Sequence, residues 1–422
     1  VDLEGLRVEY VAPTTEAEKD IVEAFEQVFN QDRIGVLDDF IRLGGDSLTA
    51  IKVLSYLKDY NVAAADILSL HTPQAIAQNI KKDSLDLDIF TLETGCPLNE
   101  AQLNVYLDIV ANEKVDAYLV PLVMDISKEY DVDDIKSALD VMFEVHPILE
   151  MTVSDDYEVP YLVKAPKPSI SVESDVDDDF LNEFLSRPFD LYGSLSRFLI
   201  VENENDYSLF GVVHHIIFDG LSVGVFKNDV LKILDGESID VDDSFLKVSA
   251  FNHEIQNTDE YADAHNFYDV MLADLDEASD ILDDVLTDGP GIEELDLKLD
   301  NDLFKSFLDK HGISENIAFT AAFAYTLSRF AGSDKVFFNI NENGRDRFNN
   351  YDSIGMYVGT LPMLADCKNQ EISSFMGHMS DLVYGVMKYD YYPFRVLAKE
   401  YGIDSGILFQ YMPEWIGDED EM

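Results

Sequence analysis

The chain has 422 residues, 47% of them hydrophobic, which is enough for two or three compact units with cores of their own and too apolar for a disordered polymer. Its 29 basic against 84 acidic residues leave a formal charge of −55, a surface that repels nucleic acid and anionic membranes and excludes both as partners. No apolar run approaches a membrane span, the start lacks a basic region followed by an apolar one, and Cys96 and Cys367 show neither metal-ligand nor disulfide-framework spacing, so a cytoplasmic enzyme without a metal is expected.

In chain order, Thr15-Glu16-Ala17-Glu18 makes a capping box, and Ile21, Ala24, Phe25 and Val28 follow as the apolar stripe of a first helix. A second helix is predicted from Ser47, with Leu48, Ile51, Leu54 and Leu57 at helical spacing, and a last one from Pro73 to about Ile80. These make a small helical bundle. Lys81 to Gly95 is acidic and lacks sustained helical periodicity, as a linker does. From Cys96 onward helical and strand patterns alternate, which indicates an α/β body. Asp133 to Val145 is amphipathic, with Ile135, Ala138, Leu139, Met142 and Phe143 on one face. Arg197 to Val201 and Tyr207 to Val213 flank a polar turn, a hairpin signal; Leu221 to Leu234, Asp259 to Leu275 and Asn316 to Phe330 read as helices. The acid is spread along the chain, as in Asp175 to Asp179 and Asp418 to Glu421, and is read as a solvated surface suited to a salt-rich cytosol rather than as the face of a basic partner.

Two motifs carry chemistry. Leu43-Gly44-Gly45-Asp46-Ser47-Leu48 places a hydroxyl at a helix start, where free N–H groups and the positive helix end stabilise an attached phosphate. Taken alone the same residues equally fit a simple cap made by Asp46 and Ser47. Val213-His214-His215-Ile216-Ile217-Phe218-Asp219-Gly220 puts two histidines at the end of an apolar strand, with an aspartate and a glycine just beyond. Imidazole is the side chain best suited to holding or moving a proton near neutral pH, and strand ends are where sites gather in such sheets. The isolated His253, His265, His311 and His378 are assigned surface or core roles.

Together these motifs resemble a nonribosomal peptide synthetase fragment, a peptidyl carrier domain followed by a condensation domain. Asp38-Asp39-Phe40 with Leu43 to Leu48 is similar to the carrier pattern, and in that family the serine carries 4'-phosphopantetheine, which here falls on Ser47. Val1 to Leu6 resembles the closing tail of an adenylation domain. Leu98 to Tyr106, Arg187 to Leu191, Ile354 to Pro362 and Tyr392-Pro393-Phe394 resemble successive condensation-domain signatures around an intact HHxxxDG.

The resemblance implies a four-helix carrier bundle and then a chloramphenicol-acetyltransferase-like α/β domain of two halves arranged as a V. The expected division is 1–12 adenylation tail, 13–82 carrier, 83–95 linker, 96–270 N-terminal half and 271–422 C-terminal half, the last boundary lying in the acidic stretch near 265–285. After Ile407 to Tyr411, a core strand by resemblance, only Met412 to Met422 remain, so a shortened second half is expected. Trp415 would pack against that last strand.

The implied reaction joins a carrier-bound acyl thioester to the amine of an aminoacyl thioester on a downstream acceptor carrier. Partners are the upstream adenylation domain, a phosphopantetheinyl transferase that loads Ser47, and the aminoacyl thioesters. By resemblance His215 is the key catalytic group, as general base or as a hydrogen-bonding anchor; His214 and Asp219 are structural, and Gly220 lets the chain turn closely beside substrate.

The family's second signature appears here as Val145-His146-Pro147-Ile148-Leu149-Glu150-Met151-Thr152, with both arginines missing and one replaced by an acid. Asp219 therefore needs another partner, for which Arg197, Arg345 and Arg347 are candidates, since an unpaired buried carboxylate is costly. Two other functions fit the superfamily. An epimerisation domain is disfavoured because Asp219-Gly220-Leu221-Ser222 lacks the tryptophan usual there. A catalytically silent docking domain is favoured by the lost arginines and opposed by the intact histidine pair.

Overall fold

The computed structural model describes residues 10–31, 33–45, 47–54, 56–57, 60–62, 64–82, 85–112, 118–277, 294–295, 297–403 and 406–412. The adenylation-like tail at Val1 to Leu6, Asp46, the acidic stretch from 278 on, Trp415 and Asp418 to Glu421 lie outside them. The chain divides into two compact units. One gathers Val1–Asp83, Ala262–Glu342 and Thr360–Tyr411; the other gathers Ser84–Tyr261, Asn343–Gly359 and Met412–Met422. No helix among the described residues is long and apolar enough to cross a membrane.

In the first unit, helix α1 (Glu16–Phe29) starts at the expected box: Thr15 Oγ1 accepts from the Glu18 amide at 3.1 Å, and Glu18 Oε2 accepts from the Thr15 amide at 2.9 Å. Hydrogen bonds from Thr14 and Thr15 outweigh burial and hold the Glu18 carboxyl below its usual range. Ile21, Ala24 and Phe25 turn inward and meet Phe40, Val53, Ile67 and Ile76 in one apolar core. The core is built from α1, α2 (Ser47–Leu54), α3 (Ala64–Leu70) and α4 (Pro73–Asn79), with a short antiparallel pair of β1 (Tyr60–Asn61) and β2 (Lys81–Lys82) beside them.

The rest of this unit carries α10 (Asp259–Met271), α11 (Asn301–His311), α12 (Glu315–Ala331), α13 (Ile372–Lys388) and α14 (Phe394–Tyr401). Its sheet has β10 (Lys335–Glu342) between β11 (Gly359–Asp366) and β12 (Leu408–Phe409). Helix α3 packs against α13, where Lys388 Nζ lies 2.9 Å from Asp66 and Tyr384 rests on the bundle core. Two expectations need correction. The helix read from Asp259 to Leu275 ends at Met271 and gives way to a 3-10 turn at Leu275–Glu277. His265 is not isolated: Glu400 lies 3.3 Å from Nε2, and Asp269, one turn along its own helix, lies 3.8 Å from Nδ1.

In the second unit, a four-stranded sheet runs β4 (Leu119–Ser127), β9 (Asp206–His214), β8 (Ser196–Glu202), β7 (Ser169–Glu173). β8 and β9 form the expected hairpin, with the turn closed by Asn203 Nδ2 donating to Asp206 Oδ1 at 2.7 Å. β4 alternates buried and exposed residues, so one face of the sheet is covered, by α6 (Val132–Val145) and α8 (Gly220–Leu234). A smaller sheet orders β3 (Cys96–Pro97), β6 (Tyr161–Lys164) and β5 (Met151–Ser154). Helices α5 (Glu100–Asn112), α7 (Asp178–Ser186) and α9 (Ser244–Glu254) complete the unit. The segment Asn343–Gly359 belongs here although both of its flanks belong to the first unit.

Candidate active site

β9 pairs with β4 to its last residue, with His214 opposite Leu119, so the two histidines sit where the ladder ends. His214 is 2% exposed, and its Nδ1 accepts from the Ile216 amide at 3.1 Å. Burial, together with the neighbouring His215, pushes its imidazole down to about 4, so it stays neutral and serves as a backbone acceptor. His215 opens a 3-10 turn, His215–Ile217; its amide donates to the Tyr118 carbonyl at 2.8 Å, and its side chain is half-buried. Its Nδ1 is enclosed with no hydrogen-bond partner among the described residues. The Tyr118 ring stands edge-on to the imidazole at 6.3 Å, while its hydroxyl donates to Asp108 at 2.5 Å and is pushed up to about 12 by burial and that carboxylate.

Asp219 is fully buried at the cap of α8. Its Oδ1 accepts from the Ser222 amide at 3.0 Å, the Ser222 hydroxyl at 2.8 Å and Arg345 NH2 at 2.7 Å; its Oδ2 accepts from the Tyr357 amide at 3.3 Å. Arg345, also fully buried, donates through NH1 to the carbonyls of Asn350 (2.9 Å) and Ser353 (2.6 Å), and its guanidinium lies 4.6 Å over the Tyr357 ring. This is a buried charge pair whose remaining valences are largely met by neutral groups, the condition under which such a pair persists. Arg345 is thus the partner that the second signature lacks. Arg197 bonds instead to the carbonyls of Phe184 and Arg187, and Arg347 lies over the Phe251 ring. Close packing holds the stretch that carries Arg345: at Gly344, φ +66°, an added Cβ would stand 2.2 Å from the Tyr357 carbonyl oxygen. Gly220 is the first residue of α8; it has no left-handed φ, and an added Cβ there would meet no protein atom within 4 Å.

Two positioning residues escaped the sequence reading. Gln102 Nε2 donates to the Ile216 carbonyl at 3.0 Å, pinning the turn that carries His215, and Asn99 Nδ2 donates to the Met356 carbonyl at 3.0 Å. Reciprocal amide bonds between Asn99 and Gln102 at the start of α5 lock both side chains. Gln102 was visible as part of a signature, but nothing local said that it reaches across 114 residues.

In the first unit, Ser47 is the first residue of α2, a helix of eight residues, so it stands at the positive end of that helix. Gly45 is required by close approach: a Cβ there would stand 2.3 Å from the ring of fully buried Phe40. A helix start at Ser47 fits an anion attached to its first residue.

Among known proteins, the condensation-domain family matches residues 93–412, and the phosphopantetheine attachment site family matches residues 19–80. Surfactin synthase subunit 2 of Bacillus subtilis is 24% identical over 422 residues, covering 94% of this chain and 12% of its own length. Tyrocidine synthase 2 of Brevibacillus parabrevis is 24% identical over 428 residues, again covering 94% and 12%. The chain thus spans only a small part, 12%, of the length of each of these relatives. Among solved structures, the X-domain in its complex with OxyB from teicoplanin biosynthesis superposes with a TM-score of 0.63 at 19% identity, over 76% of each chain. The first condensation domain of the calcium-dependent antibiotic synthetase superposes with 0.59 at 17% identity, over 76% of this chain and 82% of that one.

Proposed function

This chain belongs to the condensation-domain family, preceded by a carrier segment of the nonribosomal peptide synthetases, and from that premise we propose that it forms peptide bonds, with Ser47 as the attachment point for its donor. The attached 4'-phosphopantetheine supplies a flexible thiol on which an acyl group rides as a thioester. The chain's own residues would then hold an amine against that acyl carbon. Positioning of this kind lowers a barrier by up to about 7–11 kcal/mol in well-oriented systems.

His215 is the residue for the task. Its Nδ1 is enclosed and lacks a carboxylate behind it among the described residues, which leaves Nε2 to meet the attacking nitrogen. From there it can accept a hydrogen bond from the amine, orient it, and take its proton as the C–N bond forms and the C–S bond breaks, the phosphopantetheine sulfur leaving as the thiol. His214 supports the turn as a neutral acceptor, and Asp219 with Arg345 fixes the start of α8 beneath it. The observation that carries the reading is this half-exposed imidazole on a strand end whose neighbours are all bound to the fold.

The test loads Ser47 with an aminoacyl-phosphopantetheine, supplies a separately loaded acceptor carrier, and follows dipeptide on the acceptor by mass spectrometry beside His215→Ala and Ser47→Ala. Dipeptide that falls by at least about a hundredfold in His215→Ala is expected. Efficient loading with no dipeptide across several acceptors would refute the enzyme and favour a recruitment role, and inversion of the loaded residue would point to epimerisation.

A further inference from the structure

We infer that His146, clamped between Asp229 and Asp242, is a positioning residue that holds the segment 343–359 under the His215 turn. The functional role given to that turn rests on the reading above; the clamp itself does not. His146 is 1% exposed at the end of α6. Its Nε2 lies 3.0 Å from Asp229 Oδ2, on α8, and its Nδ1 lies 3.3 Å from Asp242 Oδ2, in the connection to α9.

A neutral imidazole has a single N–H, whereas ionised carboxylates only accept. Both contacts are satisfied together only when the ring carries two protons and a positive charge. The titration directions agree with the geometry. Burial opposes the charge on His146, but hydrogen bonds to Asp229 and Asp242 outweigh it and hold the imidazole above its ordinary value. Burial likewise opposes both carboxylates, and their bonds to His146 help to hold them below the usual range.

The other groups around the clamp are few. Lys232 Nζ (3.1 Å) and Asn228 Nδ2 (3.3 Å) meet Asp229 Oδ1; Asp242 Oδ1 accepts from the Ser244 amide. The oxygen of Asp242 that faces His146 also accepts from the Ser353 hydroxyl at 2.7 Å and the Ile354 amide at 3.1 Å. From there the chain of contacts is unbroken. Ser353 Oγ lies 2.7 Å from the Tyr357 hydroxyl, the Ser353 carbonyl accepts from Arg345, and the Tyr357 amide and Arg345 both donate to Asp219. His146 thus anchors the same carboxylate that seats the far side of the active-site loop.

The sign of the pH effect follows. The raised imidazole contributes fully below its unfolded value, about 6.5, and loses its contribution as pH rises through the folded value; the depressed carboxylates contribute fully above about 3.9. The clamp is therefore complete between those limits and loosens on the alkaline side, where a neutral ring turns a lone pair toward one of two carboxylates.

The experiment is amide hydrogen exchange on the full chain, read as protection factors, with ring NMR of His146 alongside. In the wild type, protection of the Ile354, Gly355 and Tyr357 amides is expected to fall as His146 deprotonates, while the β8–β9 ladder is unchanged. His146→Gln should lower that protection about tenfold and remove its pH dependence. In the condensation assay His146→Gln should lower kcat about tenfold with KM little altered. Asp229→Asn, which keeps a hydrogen-bonding group and removes one charge, should move the loss of protection about one unit lower in pH, and decides the matter should His146→Gln not fold. Protection that ignores the His146 titration, or is equal in both variants and the wild type, overturns the proposal. A wild type that makes no dipeptide but shows the exchange behaviour sinks the enzymatic reading and leaves the clamp standing.

Discussion

The two places where this chain is expected to handle substrate are built on opposite plans. Around Asp219 the fold buries charge: a carboxylate and a guanidinium, both fully enclosed, are joined by hydroxyls, amides and carbonyls drawn from two distant stretches of sequence. Around Ser47 the supporting structure is apolar, with Phe25, Phe40, Val53 and Ile76 filling a small core and polar contacts confined largely to helix caps and turns. A polar network fixes directions, because hydrogen bonds fail when bent, whereas an apolar core fixes only distances. The first plan suits a group that must aim a proton. The second suits a platform that presents a tether and needs only to stay folded.

The largest effect should come from breaking the charged network. Arg345→Met leaves Asp219 buried without its counter-charge and is expected to cost about 3–5 kcal/mol of stability, read as a lowered denaturant midpoint of the second unit, with Asp219→Asn added to Arg345→Met restoring part of it. The apolar region should break more gently. Gly45→Ala drives a methyl into Phe40 and is expected to cost about 1–3 kcal/mol in the melting of the 16–80 bundle, while exchange at the Ser222 and Tyr357 amides stays as in the wild type. Smallest is the tie between α3 and α13. Lys388→Ala removes a partly exposed ion pair with Asp66 and should cost no more than about 1 kcal/mol, an effect that shrinks further as salt is added.

The contrast also explains what could be read in advance. The bundle was legible because its rules are local: the Thr15 and Glu18 box, the stripe from Ile21 to Phe25 and the Pro73 start all lie within a turn or two of what they control. The β8–β9 hairpin and the placement of His214 and His215 at its open end were legible for the same reason. The network was not. Composition offered Arg197, Arg345 and Arg347 for Asp219, and choosing among them required knowing that Arg197 spends its donors on the Phe184 and Arg187 carbonyls. Asp229 and Asp242 lie 83 and 96 residues from His146, and Asp229 on an amphipathic helix reads as a solvent-facing residue until the fold buries it. His265 was misread for a milder reason. Asp269 stood at helical spacing in plain view, while Glu400 had to be brought from another helix.

The segment 343–359, flanked on both sides by the other unit, sets a schedule for biosynthesis. Asp219 leaves the ribosome 126 residues ahead of Arg345, an interval on the order of ten seconds at about 5–20 residues per second. During that interval the nascent second unit holds an α8 cap that has Ser222 but no guanidinium. Gln102 is already made and can pin the turn at Ile216, yet the Asp219 side of the loop bearing His215 waits for Arg345, after nearly all of the first unit's sequence up to residue 342. A chain arrested between these points carries Asp219 without the guanidinium that balances it in the finished fold, where both groups are completely buried.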